Sequence, residues 1–484
     1  MALSFVQEPI ADGGTLPVIT NWNPIIPYVL YQNSSIAAFF YYKLVLEVRL
    51  DDGSGEVIAK FKQRRNGYAT DITNNLARAI FDLRDIVNSQ LEDTIADQNL
   101  TTATIHKVGT NVATTPFSQN LNQLKTIYVK GYQNYSSAAN ESPADVTAGS
   151  VNDTKFYIAA SLPLETARGT ADFQATEFAS YSLSGSAKLF LSDVQASSAL
   201  PGIGEVRRNY IQSTDYHTIA FLNGVSDFAS DAYYIGIQYY TAAGVVINSS
   251  GGTEAEGIQN TNANGGSNPD TETNSNAERL LYFGCGPANL ESQSRNTQAR
   301  PSGFSDWAYY TIRAYDSDFN PANVSAGTAK SALYYFINQD ASCKGFNVRR
   351  LGWRNSLGAY DYFNFKKKST QTIEVNRNNY ETLLGNFNDT MYSYDNFGRG
   401  KKTRSVTAVT KETLNTDWIT EQDAILLEGL IMSTNVNIIE NSDTTFTVPV
   451  IISDTSFIKK TVANDKLIQY TINIEYANTL NTNS

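Results

Sequence analysis

The stretch Leu351–Phe365, LGWRNSLGAYDYFNF, is the most distinctive part of this sequence. Within it, Ala359–Phe365 alternates between two sets of side chains with the period of a β-strand. Asn355–Gly358, just before, has the residue types of a tight turn. The stretch therefore predicts a hairpin, and Gly352 and Gly358 mark points where the backbone turns or another group approaches closely. Its aromatic side chains are Trp353, Tyr360, Tyr362, Phe363 and Phe365.

Two interpretations of this hairpin stay open at the level of sequence. In the first, its aromatic side chains pack in a hydrophobic core, which is their usual role on a β-scaffold. In the second, the hairpin faces a partner, because cations flank the rings. The interface then comprises Trp353, Arg354, Tyr360, Tyr362, Lys366, Lys367 and Lys368, together with Arg399, Lys401, Lys402 and Arg404 of a basic loop.

The composition favours β-structure and covered surfaces. Only 18% of the 484 residues are charged, whereas about 25% is usual for a soluble protein. The chain holds 29 Tyr and 23 Phe, and interfaces between proteins favour Tyr and deplete charge. A chain of this length has room for two to four domains, roughly, each with its own core.

The charge is divided unevenly along the chain. The net charge is −11, which argues against a general nucleic-acid-binding protein. Ala341–Lys411 has 13 basic and 5 acidic residues, a net of +8, so the remainder carries −11 − 8 = −19. The basic segment could meet the acidic surface of an adjacent copy, or DNA.

The sequence offers no constellation for catalysis or for a metal ion. The two histidines, His106 and His217, and the two cysteines, Cys285 and Cys343, stand apart from one another. Gly398–Arg404 lacks the order of residues of a phosphate-binding loop and predicts an exposed basic loop. We therefore expect no enzyme activity, no cofactor and no metal, and buried reduced thiols. His106 is expected at the surface.

The pattern of apolar residues predicts a mainly β, multi-domain protein of β-sandwich modules with a few covering helices. Residues 1–97 form an N-terminal sandwich-like module with a helix over 73–90, and 98–155 form a polar, loop-rich insertion. Residues 156–350 form a central β domain with a low-complexity loop at 248–277. Residues 351–484 hold the aromatic hairpin, the basic loop and an α+β C-terminal module. In that module, Thr420 and Asp423 predict a capping box for a helix over 417–431.

The motif Trp353–Phe365 resembles a segment of large structural proteins of tailed bacteriophages, including the crAss-like phages of Bacteroidota. Val406–Ile431, Val448–Tyr476 and Trp22–Ile25 are similar to the same proteins, whereas the middle of the chain matches weakly. The resemblance implies a virion component of the tail or neck and transfers no catalytic residue.

The expected function is therefore that of a structural subunit, assembled in the host cytoplasm and part of the tail hub, ring or connector region. The expected partners are other copies of the chain in a ring and neighbouring tail, neck or portal proteins, with DNA in the tail lumen as a further partner. The N-terminus lacks the pattern of a signal peptide, and no stretch predicts membrane insertion. The alternative is a receptor- or carbohydrate-binding tail adhesin, because exposed aromatic rings on β-scaffolds stack on sugars.

Overall fold

A computed structural model gives the fold of the chain. It describes residues 3–9, 18–19, 26–50, 55–64, 73–91, 106, 117–119, 123–158, 160, 178–181, 183, 187–197, 206–222, 232, 234–247, 256–259, 280–291, 307–315, 328–339, 345–382, 385–387, 390–393, 400–440, 447–454, 456, 458, 468–478 and 480–483. Strands make up 58% and helices 10% of the described residues, which confirms the predicted mainly β class. The chain forms two compact units. Unit 1 comprises residues 1–338 and 355–361, and unit 2 comprises residues 339–354 and 362–484.

The N-terminal part of unit 1 is a sandwich of two sheets. A five-stranded sheet has the order β2 (Val18–Ile19), β9 (Ala144–Ile158), β8 (Leu124–Ser136), β4 (Phe40–Leu50), β5 (Val57–Gln63). A three-stranded sheet has the order β1 (Leu3–Gln7), β3 (Pro27–Gln32), β6 (Ala77–Asp82). Side chains of both sheets meet in one core, where Tyr28 and Leu46 are fully buried. Val87 of helix α1 (Arg84–Gln90) belongs to the same core.

The second part of unit 1 has the same layered design. A six-stranded sheet has the order β10 (Ala196–Ser197), β11 (Val206–Ile211), β17 (Tyr334–Asn338), β16 (Tyr309–Tyr315), β13 (Tyr234–Tyr240), β14 (Glu256–Gln259). A three-stranded sheet has the order β12 (Thr218–Leu222), β15 (Leu280–Gly284), β7 (Phe117–Gln119). Their shared core includes Phe221, Phe283 and Tyr310. A 3-10 turn covers Phe178–Tyr181, and helix α2 spans Pro287–Glu291.

Unit 2 is built on one eight-stranded sheet. Its main path is β19 (Tyr360–Phe365), β18 (Arg349–Arg354), β24 (Val436–Ile439), β25 (Thr447–Ile452), β26 (Thr471–Tyr476), β23 (Lys401–Asn415), β20 (Thr370–Glu381). The eighth strand, β27 (Leu480–Asn483), also pairs with β23. Strands β21 (Asn386–Phe387) and β22 (Tyr392–Ser393) form a separate pair. Helix α3 (Glu421–Met432) begins at the predicted capping box, in which Thr420 and Asp423 bind each other's backbone N–H.

Two predictions in the N-terminal half are wrong. The helix predicted over 73–90 begins only at Arg84, because Ala77–Asp82 pair with β3 and bury Ala77, Ala79 and Phe81 alternately. The predicted polar insertion at 98–155 contains β8 and most of β9, which pair with each other, and β8 pairs with β4 in the sandwich. For Ala77–Asp82 and for β8, a strand that is distant in the sequence supplies backbone hydrogen bonds, and no local pattern announces that partner. The pairing of β8 with β9 is local, but the polar composition of this region resembles that of loops.

Further corrections concern individual residues. His106 is buried rather than exposed, and its ring contacts Tyr360 at 5.1 Å between centroids. Within the low-complexity segment 248–277, Glu256–Gln259 pair with β13, and the rest lies outside the described residues. Cys285 is buried, and Cys343 lies outside the described residues.

Candidate assembly surface

The aromatic stretch folds as the predicted hairpin, and its rings point into the protein. Trp353 is 0% exposed, Tyr360 5% and Tyr362 3%. Gly358 has a φ of 82°, a conformation that favours glycine, and a Cβ on Gly352 would come within 3.0 Å of the Tyr362 ring. Because their burial is complete within one chain, the assignment of Trp353, Tyr360 and Tyr362 to an exposed interface is corrected: they are core residues.

Hydrogen bonds anchor the hairpin turn inside unit 1. The Asp361 carboxylate accepts from the Ser192 hydroxyl at 2.6 Å, from the Asp193 N–H at 2.8 Å and from the Asn355 side-chain amide at 2.9 Å. Asp193 in turn accepts from the Ser356 hydroxyl at 2.6 Å and from its N–H at 3.0 Å. The polar residues of the turn therefore fix its position.

These two carboxyl groups perturb each other's titration. Burial, reinforced by the charge of Asp193, raises the pKa of Asp361 to about 7. Burial also raises the pKa of Asp193. Asn355 and Ser356 of the turn donate hydrogen bonds to Asp361 and Asp193 respectively. Ser192 and the Asp193 N–H donate to Asp361, so the pair links the turn to residues 192–193.

The cations next to the hairpin are largely engaged within unit 2. Lys367 lies 3.0 Å and Lys366 3.9 Å from the carboxylate of Asp417, and this pairing lowers the pKa of Asp417 against the effect of its burial. Arg354 is half-buried, whereas Lys368 is exposed. Lys366 and Lys367 therefore form ion pairs in their own chain, and their contact with a neighbouring subunit stays a prediction.

An exposed β-ribbon is the feature of unit 2 with the clearest capacity for assembly. We call it the arm, formed by Thr370–Glu381 (β20) and Lys401–Thr413 of β23, which pair in antiparallel fashion along their length. All twelve residues of β20 are exposed. At a rise of about 3.4 Å per residue, β20 alone extends about 40 Å. Among the described residues, β20 pairs only with β23, so its other edge presents unpaired backbone groups.

One face of the arm continues the core-facing side of the sheet. Leu414 and Glu412 are buried on that side of β23, and Thr410, Ala408 and Val406 follow on the same face by alternation. Ile373 and Val375 of β20 lie opposite Thr410 and Ala408, yet they are 62% and 42% exposed. The apolar face therefore continues along the arm, past the part of the sheet that is covered by the core of unit 2.

The base of the arm is held firmly by a buried carboxylate. Glu412 accepts from the guanidinium of Arg349 at 2.9 Å and from the hydroxyl of Tyr476 at 2.8 Å. Burial, together with the charge of Glu412, raises the pKa of Tyr476 to about 12, so the hydroxyl remains a donor. On the opposite face, Lys411 and Glu374 form an ion pair across the two strands at 2.8 Å.

The far end of the arm is basic. Arg377, Lys401, Lys402 and Arg404 outnumber Glu381, which gives a net of 4 − 1 = +3. Lys401 and Lys402 are exposed, as predicted, but they and Arg404 begin strand β23 instead of forming a loop. Arg399 lies outside the described residues.

Sequence reasoning missed the arm although the signal was present. Thr370–Glu381 is rich in Thr and Asn and has Ile373, Val375 and Tyr380 as its apolar residues, so it lacks the apolar alternation of a half-buried strand. A long polar strand with β-branched residues and no Pro or Gly is nevertheless compatible with a two-stranded ribbon.

In comparisons with known proteins, no family model and no curated protein matches the chain. In the described part of the chain, no group of three or more His, Cys, Asp and Glu side chains lies together in an arrangement for a metal ion. None of the helices among the described residues has the length and apolar character of a membrane span.

Proposed function

We propose that this chain is a structural subunit of a tailed-bacteriophage virion, in the tail or neck, which assembles with copies of itself into a ring through the arm. The observation that carries the assembly part is the exposed apolar face and open edge of the arm. The phage assignment is supported by the motifs of Leu351–Phe365 and the C-terminal module, and it stays a prediction.

An arm that is exposed to water on both faces is unfavourable in free energy. A two-stranded ribbon in water is marginally stable on its own, and an open strand edge is a template for pairing with another chain. Covering Ile373 and Val375 lowers the free energy of the assembly, because apolar surface is removed from water. A neighbouring copy that covers this face or adds a strand to β20 supplies both kinds of contact.

The charges favour a second copy as the partner. The end of the arm carries +3, and the rest of the chain carries −11 − 3 = −14. A basic arm that contacts an acidic part of the next subunit makes a head-to-tail contact, and such contacts close into rings when the rotation allows it. The electrostatic attraction sets register and association rate, while the apolar contacts supply most of the affinity.

Two matched double variants test this proposal. Ile373→Lys with Val375→Lys places two charges on the apolar face, whereas Thr372→Lys with Asn376→Lys places the same charges on the opposite face of the same exposed strand. Sedimentation velocity of the full chain should show an oligomer for the wild type and the control variant. The apolar-face variant should associate at least about tenfold more weakly.

The same experiment at two ionic strengths separates the electrostatic contribution to association from the apolar one. Wild-type association should weaken at high salt, because exposed charges are screened over about 10 Å at 0.1 M salt. If the two double variants sediment alike, the apolar face of the arm is not the contact surface and the proposal fails. Circular dichroism of both variants checks that they retain the fold.

A further inference from the structure

A surface pocket in the N-terminal sandwich is built around an aromatic cluster. Its volume is 850 Å³, within the range of sites that hold small ligands. It lies where β4 begins, beside the turn that joins β8 to β9. Phe39, Tyr41 and Tyr42 supply its aromatic lining, and polar side chains including Asn75, Asn140 and Glu141 complete it.

The backbone at this pocket is held in an unusual conformation. Tyr41 has a φ of 57° and Asn75 a φ of 52°, which makes them two of the three non-glycine residues with positive φ in the described chain. Asparagine adopts this conformation readily, but tyrosine does so at a cost. A bulge between Phe40 and Lys43 in the pairing of β4 with β8 produces the distortion, and bulges commonly re-aim side chains next to binding sites.

Tyr41 lines the pocket with an exposed side chain. The side chain is 57% exposed, yet its hydroxyl donates a hydrogen bond to the carbonyl of Ala139 at 2.9 Å. An exposed ring that is fixed by its backbone and by its hydroxyl has already lost its conformational entropy. It therefore offers a flat surface to a ligand without a further ordering cost.

Tyr42, which also lines the pocket, has a buried hydroxyl group without a hydrogen-bond partner among the described residues. Tyr42 is 9% exposed, and its ring stacks on Tyr135 at 5.9 Å with an angle of 12° between the planes. Its hydroxyl is buried and makes no hydrogen bond within the described part of the chain. Burial raises the pKa of Tyr42, so the group stays protonated and remains a donor. A buried donor without an acceptor is costly, and a ligand oxygen would remove that cost.

We propose that this pocket binds an oligosaccharide that carries carboxylate groups. A pyranose ring packs its C–H face on an aromatic ring such as Tyr41, while its hydroxyl groups need the donors and acceptors that Tyr42, Asn75 and Asn140 provide. Lys43 and Arg64 line the pocket against one acid, Glu141, and this excess of positive charge favours an anionic sugar. The site does not depend on the proposed assembly, and it gives the carbohydrate-binding alternative a defined location.

An array of neutral and uronate-containing oligosaccharides, probed with the labelled full chain, tests the inference. Trigalacturonate and maltotriose then serve as probes in titration calorimetry. Tyr41→Asn removes the ring but suits the left-handed backbone, and Tyr42→Phe removes only the hydroxyl. Tyr392→Asn is the matched control, because Tyr392 is an exposed tyrosine outside both the pocket and the arm. A nucleotide, uridine monophosphate, tests whether any anion with a stacking ring suffices.

We expect uronate-containing sugars to bind better than maltotriose. Binding should disappear in Tyr41→Asn, fall roughly tenfold in Tyr42→Phe and stay unchanged in Tyr392→Asn. Tyr42→Phe should not lower the unfolding temperature, because the lost hydroxyl satisfies no partner in the chain. The inference is overturned if no signal on the array depends on Tyr41. It is also overturned if maltotriose or the nucleotide binds more strongly than trigalacturonate.

Discussion

A single buried carboxyl group, Asp361, holds the aromatic hairpin turn in place. It is 2% exposed and accepts hydrogen bonds from Ser192, Asp193 and Asn355. The sequence placed this residue correctly within a strand but gave no sign that a second carboxylate, Asp193, would lie beside it. Such a pair depends on residues that are far apart in the chain, so only the folded structure reveals it.

This pair predicts an unusual dependence of stability on pH. The pKa of Asp361 rises from 3.8 to about 7 on folding, so between these values the native state binds more protons than the unfolded state. The contribution of Asp361 to the free energy of unfolding is therefore fully present below pH 3.8 and is lost as the pH rises toward about 7. Urea denaturation at several pH values measures this loss.

Matched variants assign the effect to its residue. Asp361→Asn cannot titrate, so its stability should change less with pH across this window than that of the wild type. Asp417→Asn is the control, because the lysines beside it lower the pKa of Asp417 and its titration falls at lower pH. An equal slope in the wild type and in Asp361→Asn would show that Asp361 is ionised in the native state.

At the scale of elements, the sequence predicted a helix or strand correctly where the element's own residues stabilise it. Helix α3 begins at Thr420, where the capping box satisfies backbone donors locally, and β4 has a long alternating pattern. Ala77–Asp82 were assigned wrongly because apolar residues at 76, 80, 83 and 87 fit a helical period, whereas the pairing with β3 lies outside the sequence window. The arm was missed because exposed strands do not need apolar alternation.

The exposure of the arm predicts that its outer part contributes little to the stability of the monomer. Replacement of residues 378–405 by Asn-Gly joins Arg377 to Val406, which face each other in the pairing of β20 with β23, through a turn suited to a hairpin. The free energy of unfolding should change by less than about 0.5 kcal/mol, as urea denaturation of the dilute monomer would show.

Self-association should respond differently to the same truncation. The shortened chain loses Lys401, Lys402 and Arg404 of the arm. It retains Ile373 and Val375, so its association should become weaker and less sensitive to salt. A loss of about 2 kcal/mol or more in monomer stability would instead mean that the removed residues belong to the fold of unit 2.

At the scale of the molecule, composition and charge anticipated the general character of the chain but not its organisation. The low charge content and the many tyrosines are consistent with the mainly β class, and the rings of the hairpin motif are used in a core. The long strands β8 and β9 lie in a region whose Thr, Asn, Ser and Ala content predicted loops. The pairing of β8 with β4 in the same sheet is non-local, so the sequence of this region alone does not reveal it. The proposed assembly surface likewise depends on which part of one sheet remains uncovered.

Native mass spectrometry of the full chain, over a range of concentrations at low ionic strength, tests the central claim most directly. Head-to-tail contacts that close into a ring predict one discrete stoichiometry, with three or more copies, that stops growing as the concentration rises. The variant with Ile373→Lys and Val375→Lys should appear mainly as a monomer under the same conditions. A wild-type chain that remains monomeric at every concentration, or that forms an open-ended ladder of species, would contradict the account.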